Sequence, residues 1–194
     1  MFNLKPYNAN VTLPHIATMN TELKTRWTEL VAARADFFKE LEKFSEAQFH
    51  QLPQHGWSAA QVVEHVLGAE TGTLGYMRKK SSSGWDALEK TGDEHIAKSK
   101  AVNTRLASPE KYAAPSILNE PTNQYSKTQL IQQWNQVRME MEQFLGEVDP
   151  MHNDKLVFRQ PIAGMLNVLQ AVEFMHHHLR HHIPQLHRIM TSVS

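Results

Sequence analysis

Histidine is the residue type in this sequence whose number and spacing could support chemistry, with 12 histidines in 194 residues and no cysteine. A run reading HHHLRHHIPQLH extends from His176 to His187. Histidines four residues apart lie on one face of a helix, about one turn from each other, and can bind one metal ion through two imidazoles. Without cysteine, a metal must be held by histidine, carboxylate or carbonyl groups.

Two pairs in this run have the required spacing, His177 with His181 and His178 with His182. At about 100° per residue, His178 and His182 lie roughly 80° from the centre of the apolar stripe of this helix, at the edge of its buried face. His177 and His181 lie nearly opposite the stripe. Because helical bundles build metal sites from inward-facing side chains, we predict His178 and His182 as ligands and His177 and His181 as surface residues. Gln185, one turn on, either supports a ligand histidine or bonds water.

A third protein ligand must come from another segment, and His65 is the best candidate. It lies off the main apolar stripe of its helix, on the side of Ala69, Gly72 and Tyr76. Two small residues there would let another helix approach closely. Three histidines on a divalent ion leave positions open for water or substrate, which is typical of a catalytic site. A histidine-rich helix is also compatible with a solvated face, an adventitious metal binder or a pH-sensitive patch.

Four amphipathic segments of about twenty residues each must position these side chains. Capping boxes, Ser58 with Gln61 and Ser126 with Gln129, mark the starts of two of them. We find no convincing strand pattern and therefore predict an all-α four-helix bundle. The predicted helices span about 21–44, 59–79, 126–148 and 167–190.

The length of the chain and the positions of its prolines and glycines indicate how the rest of it is organised. Residues 1–194 suit a single domain, because domains usually have roughly 100–200 residues. Residues 1–20 contain two prolines and no strong period, which predicts an extended N-terminal arm. Residues 81–125 are predicted to form an irregular connection with room for short helices, and a loop of this length often borders a functional site. A further loop through Pro161 and Gly164 is predicted before the last helix.

Two charged residues fall within apolar stripes, Arg34 in the first helix and Glu70 in the second. Either they pair across the helix interface, because a buried charge needs a partner, or each reaches solvent past its neighbours. Trp27 and Trp134 are expected in the core. Glu64 is expected to be solvated rather than a catalytic base.

The composition is that of an ordinary soluble globular protein, with 41% hydrophobic and 21% charged residues. Formal net charge is zero with histidine neutral, which argues against a basic surface for nucleic acid or anionic lipid. The N-terminus has no continuous apolar segment and no membrane-length apolar stretch follows. We therefore expect a cytoplasmic protein that is not exported and has no membrane or nucleic-acid partner.

Three segments together resemble the DinB superfamily of DinB/YfiT-like proteins. GWSAAQVVEHV around His65 is similar to the family's tryptophan–serine helix start followed by a ligand histidine. The HxxHHxxQ pattern from His178 to Gln185 is similar to its C-terminal metal motif, and QPIAGMLNVLQAVEFM to its turn before the last helix. The likeness extends from about Thr21 to Ile189. Pro184 departs from the pattern, and we expect it to bend the last helix.

This resemblance implies a four-helix bundle with an up-down-down-up path and a metal triad at His65, His178 and His182. Members of the family are often homodimers and bind zinc, nickel or another divalent ion. Some transfer or isomerise with a low-molecular-weight thiol, and others are described as metal-dependent hydrolases.

The leading functional prediction is a divalent-metal-dependent enzyme of the DinB type, a thiol-dependent S-transferase or a hydrolase of a small-molecule substrate. The ion would lower the pKa of a bound water or thiol and generate a nucleophile near neutral pH. No residue is identified as general acid or base. The alternative is a non-catalytic, stress-associated protein that binds a metal or a small ligand. A third reading is an interaction scaffold without metal.

Overall fold

A computed structural model describes residues 19–108 and 120–193, and helices dominate both ranges. Each of the four predicted helices is confirmed, with ends shifted by less than a turn. The elements also include one short and one intermediate helix, two 3-10 turns at Trp85–Ala87 and Pro150–His152, and two strands. The helices are α1 (Thr21–Glu42), α2 (Glu46–His50), α3 (Ala59–Ser81), α4 (Asp93–Ala107), α5 (Lys127–Gly146) and α6 (Val168–Ser192), and the strands are β1 (Leu156–Gln160) and β2 (Gly164–Asn167).

Capping boxes fix the first turns of α3 and α6, the two helices that carry the predicted ligands. The hydroxyl of Ser58 accepts the backbone N–H of Gln61 at 3.1 Å, and the Gln61 side chain accepts the backbone N–H of Ser58 at 3.0 Å. Asn167 and Gln170 make the same exchange at the start of α6. These bonds satisfy amide groups that have no partner within the helix, and so define where each helix begins.

The four long helices pack around one apolar core, which confirms the all-α prediction. Trp27 of α1 and Trp134 of α5 are 1% and 0% exposed, as expected. Phe37 and Phe38 meet the Trp134 ring edge-on, with centroids 5.5 and 5.4 Å away. Helices α1, α3 and α4 each pack against α6. The up-down-down-up path stays a prediction.

The core contains an ion pair that differs from both predicted alternatives. The Glu70 carboxylate accepts bonds from Nε and a terminal nitrogen of Arg138 and, at 2.6 Å, from Nε1 of Trp134. Arg34 instead donates to the side chain of Asn135 at 2.6 Å. The prediction that Arg34 pairs with Glu70 is therefore wrong, and so is the alternative that both reach solvent, since they are 4% and 1% exposed.

A β-hairpin occupies the segment predicted as a loop before the last helix. Strands β1 and β2 are antiparallel, with Phe158 opposite Leu166 and Gln160 opposite Gly164. Gly164 has φ of +77°, a conformation that glycine adopts without strain. The register shifts between Leu156 and Phe158, so the strand lacks the simple alternation by which strands are recognised.

The predicted irregular connection at 81–125 contains α4, which packs along α6. Thr91 and Asn167, at the starts of these two helices, hydrogen-bond through their side chains at 2.9 Å. The predicted N-terminal arm lies outside the described residues except for its last two positions. Within the described ranges, no helix combines the length and the apolar character needed to cross a membrane.

Candidate metal centre

The three predicted ligands come from α3 and α6, which contact each other side by side. His65 is in the second turn of α3, and His178 and His182 are one turn apart on α6. The helix α6 continues through Pro184 to Ser192, so the spacing of its two histidines is helical. The structure therefore brings together the residues selected from the sequence.

The ring nitrogens of these three histidines converge. Nε2 of His178 lies 3.1 Å from Nε2 of His65 and 3.2 Å from Nε2 of His182. One ligand atom from each residue lies within 4.8 Å of the others. Nitrogens on a tetrahedral zinc ion, with Zn–N bonds of about 2.0–2.1 Å, stand roughly 3.3 Å apart. A proton on Nε2 of His178 can satisfy its contact with His65 or with His182, but not both. A divalent cation accepts a lone pair from all three nitrogens. The three imidazoles therefore fit a metal ion.

Burial keeps these imidazoles uncharged. It lowers the pKa of His65 to about 4, and nearby charge on His181 acts in the same direction. It lowers the pKa of His182 to about 3, and it holds the pKa of His178 well below the usual 6.5, with the neighbouring histidines adding to the effect. The rings are therefore neutral at neutral pH and retain the lone pairs that a metal requires.

Gln185 supports His182 from the same helix. Its Oε1 lies 2.8 Å from Nδ1 of His182, a contact in which Nδ1–H donates to the amide oxygen. This bond places the proton on Nδ1 and leaves the Nε2 lone pair directed to the cluster. Of the two alternatives for Gln185, the structure shows the contact with a candidate ligand.

The second histidine pair lies outside the cluster, but its members are less exposed than predicted. His177 and His181 are both half-buried rather than on the open surface. His181 donates Nδ1–H to the carbonyl of Leu106 at 2.9 Å, which links α6 to the last turn of α4. The angular positions of these residues on α6 predicted correctly that they lie outside the cluster. They could not predict that α4 packs on that side.

Aromatic rings lie against the histidines: Trp57, the tryptophan of the helix-start motif, and two phenylalanines that the sequence analysis did not select. The Trp57 ring lies 5.0 Å from that of His65, and Phe174 stacks on His178 at 5.6 Å with the planes 16° apart. Phe174 in turn lies 6.2 Å from Phe158 of β1. Phe174 precedes His178 by one turn, so helical spacing could have identified it. Phe158 could not be identified because the hairpin was not predicted.

Glu64, the residue before His65, is half-exposed, and its carboxylate also binds backbone groups, which the sequence did not predict. Its Oε2 accepts from the backbone N–H and the hydroxyl of Thr122 at 2.7 and 3.0 Å, and its Oε1 accepts from the backbone N–H of Asn123 at 2.7 Å. Asn123 has φ of +63°, which asparagine tolerates better than most residues. Glu64 therefore ties the end of the 81–125 connection to the helix of His65.

Gly72 does not have its predicted role, which was to let another helix approach α3 closely. Gly72 is exposed, and a Cβ there would meet no described atom within 4 Å. No described helix therefore approaches α3 closely at this position. Tyr76, one turn further on, is 37% exposed and meets Phe158 edge-on at 5.9 Å.

A comparison with protein families matches the DinB superfamily over residues 29–186, a range that includes the three histidines and Gln185. No curated protein and no solved structure matches the chain. The resemblance drawn from the two histidine motifs is confirmed at the level of the family.

Proposed function

We propose, on the premise that this chain belongs to the DinB superfamily, that it is a divalent-metal-dependent enzyme acting on a small molecule. His65, His178 and His182 would hold the ion. The observation that supports this most directly is the convergence of their Nε2 atoms, at 3.1 and 3.2 Å, from two helices. His178 is half-buried whereas His65 and His182 are buried, so a small molecule would approach the cluster on the side of His178.

The chain's own residues would bind and orient, while the ion supplies the reactivity. When bound, a divalent ion supplies Lewis acidity, which lowers the pKa of a thiol or water beside it. Gln185 holds the His182 ring in the tautomer that a metal requires. Trp57 and Phe174 cover the rings of His65 and His178 and exclude water from them on those sides.

The reaction that the family resemblance favours is transfer of a thiol sulfur. A low-molecular-weight thiol loses its S–H proton to solvent, and its sulfur forms a bond to an electrophilic carbon of the substrate. The leaving group departs with the electron pair of the bond that breaks. Hydrolysis is the second reaction class, in which the oxygen of water replaces the thiol sulfur as the attacking atom.

Zinc and nickel are the ions we propose first. A donor set made only of imidazoles suits both, and it also suits copper and iron, because selectivity in cells depends on metal availability as well as on affinity. Three imidazole ligands resemble a catalytic zinc site, which leaves one coordination position open. Structural zinc sites instead have four protein ligands.

A non-catalytic metal- or ligand-binding protein is the second candidate. The observation that favours it is the burial of the donors, since His65 and His182 are each only 6% exposed. A bound ion would then be reached by substrate mainly past His178. This candidate predicts metal binding without turnover.

Elemental analysis tests the proposal directly. The chain would be purified without a tag or added metal, and one equivalent of a divalent ion is expected. His182→Ala should lose the ion, whereas His177→Ala, five residues earlier in the unused pair, should retain it. Metal-free wild-type protein, or equal loss from both variants, would contradict the site.

Turnover distinguishes the two candidates. Thiol-dependent consumption of a panel of electrophiles, and hydrolysis of a panel of esters and amides, would be measured for the wild type and for His182→Ala. Activity in the wild type that disappears in the variant supports the enzyme. Bound metal with no activity on either panel supports the binding protein.

Two further proposals follow, the first from the family resemblance and the second from the apolar pattern of the sequence. We propose that the chain is a homodimer, which sedimentation equilibrium at several protein concentrations would test. We also propose a cytoplasmic location, which fractionation of cells that express the full chain would test.

A further inference from the structure

An open cavity of about 300 Å³ lies where α3 and α5 end. It is lined by side chains from the ends of both helices, among them Arg78 and Glu147, and by Trp85 of the first 3-10 turn. Arg78 follows His65 by thirteen residues, about 20 Å along the axis of α3, so the cavity is separate from the candidate metal centre. Its volume, about that of ten water molecules in the liquid, is at the lower end of the range for small-molecule sites.

Two aromatic rings form one wall of this cavity. Trp85 and Phe144 both line it, with their centroids 6.2 Å apart and their planes 30° apart. Trp85 also stacks on His152 at 5.3 Å with the planes 8° apart, which holds the indole in place. Aromatic faces attract a cation that lies within about 6 Å of the ring centroid. The wall therefore suits an apolar group that carries a positive charge.

The positive charge in the lining is already compensated. Nη1 of Arg78 donates to Oε2 of Glu140 at 2.7 Å, and Nη2 donates to the backbone carbonyl of Glu140 at 3.3 Å. Lys79 and Lys80, which follow Arg78, are exposed and do not line the cavity. The lining therefore offers no uncompensated positive charge for an anionic ligand.

The negative charge in the lining is not compensated. Oε1 of Glu147 accepts from the side-chain amide of Gln143 at 3.1 Å, and no basic side chain in the described ranges pairs with this carboxylate. Glu147 is also the C-cap of α5, whose last turn contains no basic residue. Because a helix C-terminus carries a partial negative charge, the helix end and the carboxylate both favour a cation.

We propose that this cavity binds a small organic cation, a protonated primary amine whose apolar body packs on Trp85 and Phe144. The ammonium group donates to the carboxylate of Glu147 and to the amide oxygen of Gln143. These acceptors need N–H donors, which a primary ammonium has and a quaternary ammonium lacks. The site does not depend on the proposed metal or on its reaction.

Three phenyl compounds of similar size test the charge of the ligand. 2-Phenylethylamine is the cation, 2-phenylethanol is its neutral analogue and 3-phenylpropanoate is the anion. Because the cavity is open to solvent, we expect the amine to bind with a dissociation constant of roughly 0.1–1 mM. The alcohol and the anion should bind roughly fivefold more weakly or less, since they lose the attraction to the carboxylate and to the rings.

Nuclear magnetic resonance of the protein as purified would measure this binding and locate it. The indole N–H signal of Trp85, assigned by its loss in Trp85→Phe, should shift saturably with the amine. The signals of the other tryptophans should stay in place. Trp57 is the informative one among these, because its ring lies 5.0 Å from that of His65 and would report an amine bound at the histidine cluster.

Glu147→Gln removes the charge and keeps the shape of the side chain, so it should weaken binding of the amine roughly three- to fivefold. Glu42→Gln is the matched control. Glu42 is also exposed, and it ends α1 beside the start of α5, where Nζ of Lys127 lies 3.4 Å from the carbonyl of Leu41. The length of α5 separates this control from the cavity by about 30 Å, so it should bind the amine as the wild type does.

Several results would overturn the proposal. They are no saturable shift at Trp85, equal affinity for the amine and the alcohol, tighter binding of the anion, and equal affinities in Glu147→Gln and Glu42→Gln. Tighter binding of the anion would assign the recognition to Arg78 instead. Shifts at Trp57 without shifts at Trp85 would assign the amine to the histidine cluster.

Discussion

Gln185 and His182 are joined by a 2.8 Å hydrogen bond between Nδ1 of the imidazole and Oε1 of the amide. The bond commits one ring nitrogen of His182 to carrying a proton and leaves the other, 3.2 Å from Nε2 of His178, free to donate a lone pair. Such support commonly orients metal-binding histidines. The contact therefore predicts that Gln185, which is not itself a candidate ligand, would affect the affinity for the proposed metal.

Replacement of Gln185 by Leu should therefore weaken metal binding by roughly 10–100-fold. Competition with a chromophoric chelator would measure the dissociation constant. Gln185→Glu retains an acceptor for Nδ1–H and should keep affinity close to that of the wild type. Equal losses in the two variants would argue that the amide acts through packing rather than through the hydrogen bond.

The metal-free protein should lose stability as the pH falls below about 6.5. The pKa of His65 is about 4 and that of His182 about 3 in the folded chain, whereas the usual value is 6.5. Between these pKa values the unfolded chain binds more protons than the folded chain. The free energy of unfolding is therefore highest above about pH 6.5 and declines as the pH falls below it. The slope is about 1.4 kcal/mol per pH unit for each such histidine.

Denaturant unfolding at several pH values between about 7 and 5 would measure this slope. His182→Leu removes one of the titrating groups and should make the profile shallower. A wild-type free energy of unfolding that does not change over this range would contradict neutral burial of the cluster.

Loss of the Arg138 charge should destabilise the fold strongly. Arg138→Met leaves the Glu70 carboxylate buried with one neutral donor, Trp134, and should cost about 3–5 kcal/mol in the free energy of unfolding. Glu70→Leu combined with Arg138→Met removes both charges and should cost less. As an exposed control, Glu140→Gln breaks the Arg78 pair and should leave the free energy of unfolding nearly unchanged, because solvent screens this pair. A double variant less stable than Arg138→Met alone would contradict the argument.

Glu64→Ala should loosen the segment that Glu64 holds against α3. The backbone N–H groups of Thr122 and Asn123 would lose their acceptor, at a cost of about 1–3 kcal/mol. Hydrogen exchange should accelerate more at these two amides than in α5, which follows them, while the metal content stays at that of the wild type. Loss of metal with unchanged exchange would instead indicate a direct role at the cluster.

Helical periodicity predicted the α6 part of the site, because His178 and His182 are four residues apart on one helix. The angle between His178 and the apolar stripe selected the pair that converges, and the capping residues located the starts of α3 and α6. His65 depended on the family resemblance as well, since a single histidine has no spacing to interpret. That these residues bind a metal stays a prediction.

Contacts between different helices or strands could not be predicted in the same way, because the pattern of one segment does not show which residues of another segment face it. A single-helix pattern indicates that Glu70 is buried but not which helix presents the opposite charge, so the pairing alternative named Arg34 where Arg138 is the partner. The hairpin was missed because β1 is short and its register shifts between Leu156 and Phe158, and Phe158 was missed with it. Gly72 was interpreted as a packing residue because composition cannot distinguish close contact from open space.

The long sequence separation between the donors affects how the protein matures. His65 and His178 are 113 residues apart, so a nascent chain leaves the ribosome with a single imidazole of the cluster until α6 is made. An ion cannot template early folding under these conditions. Insertion of the proposed metal would then follow synthesis of α6, and a truncated chain without α6 would lack two of the three candidate ligands.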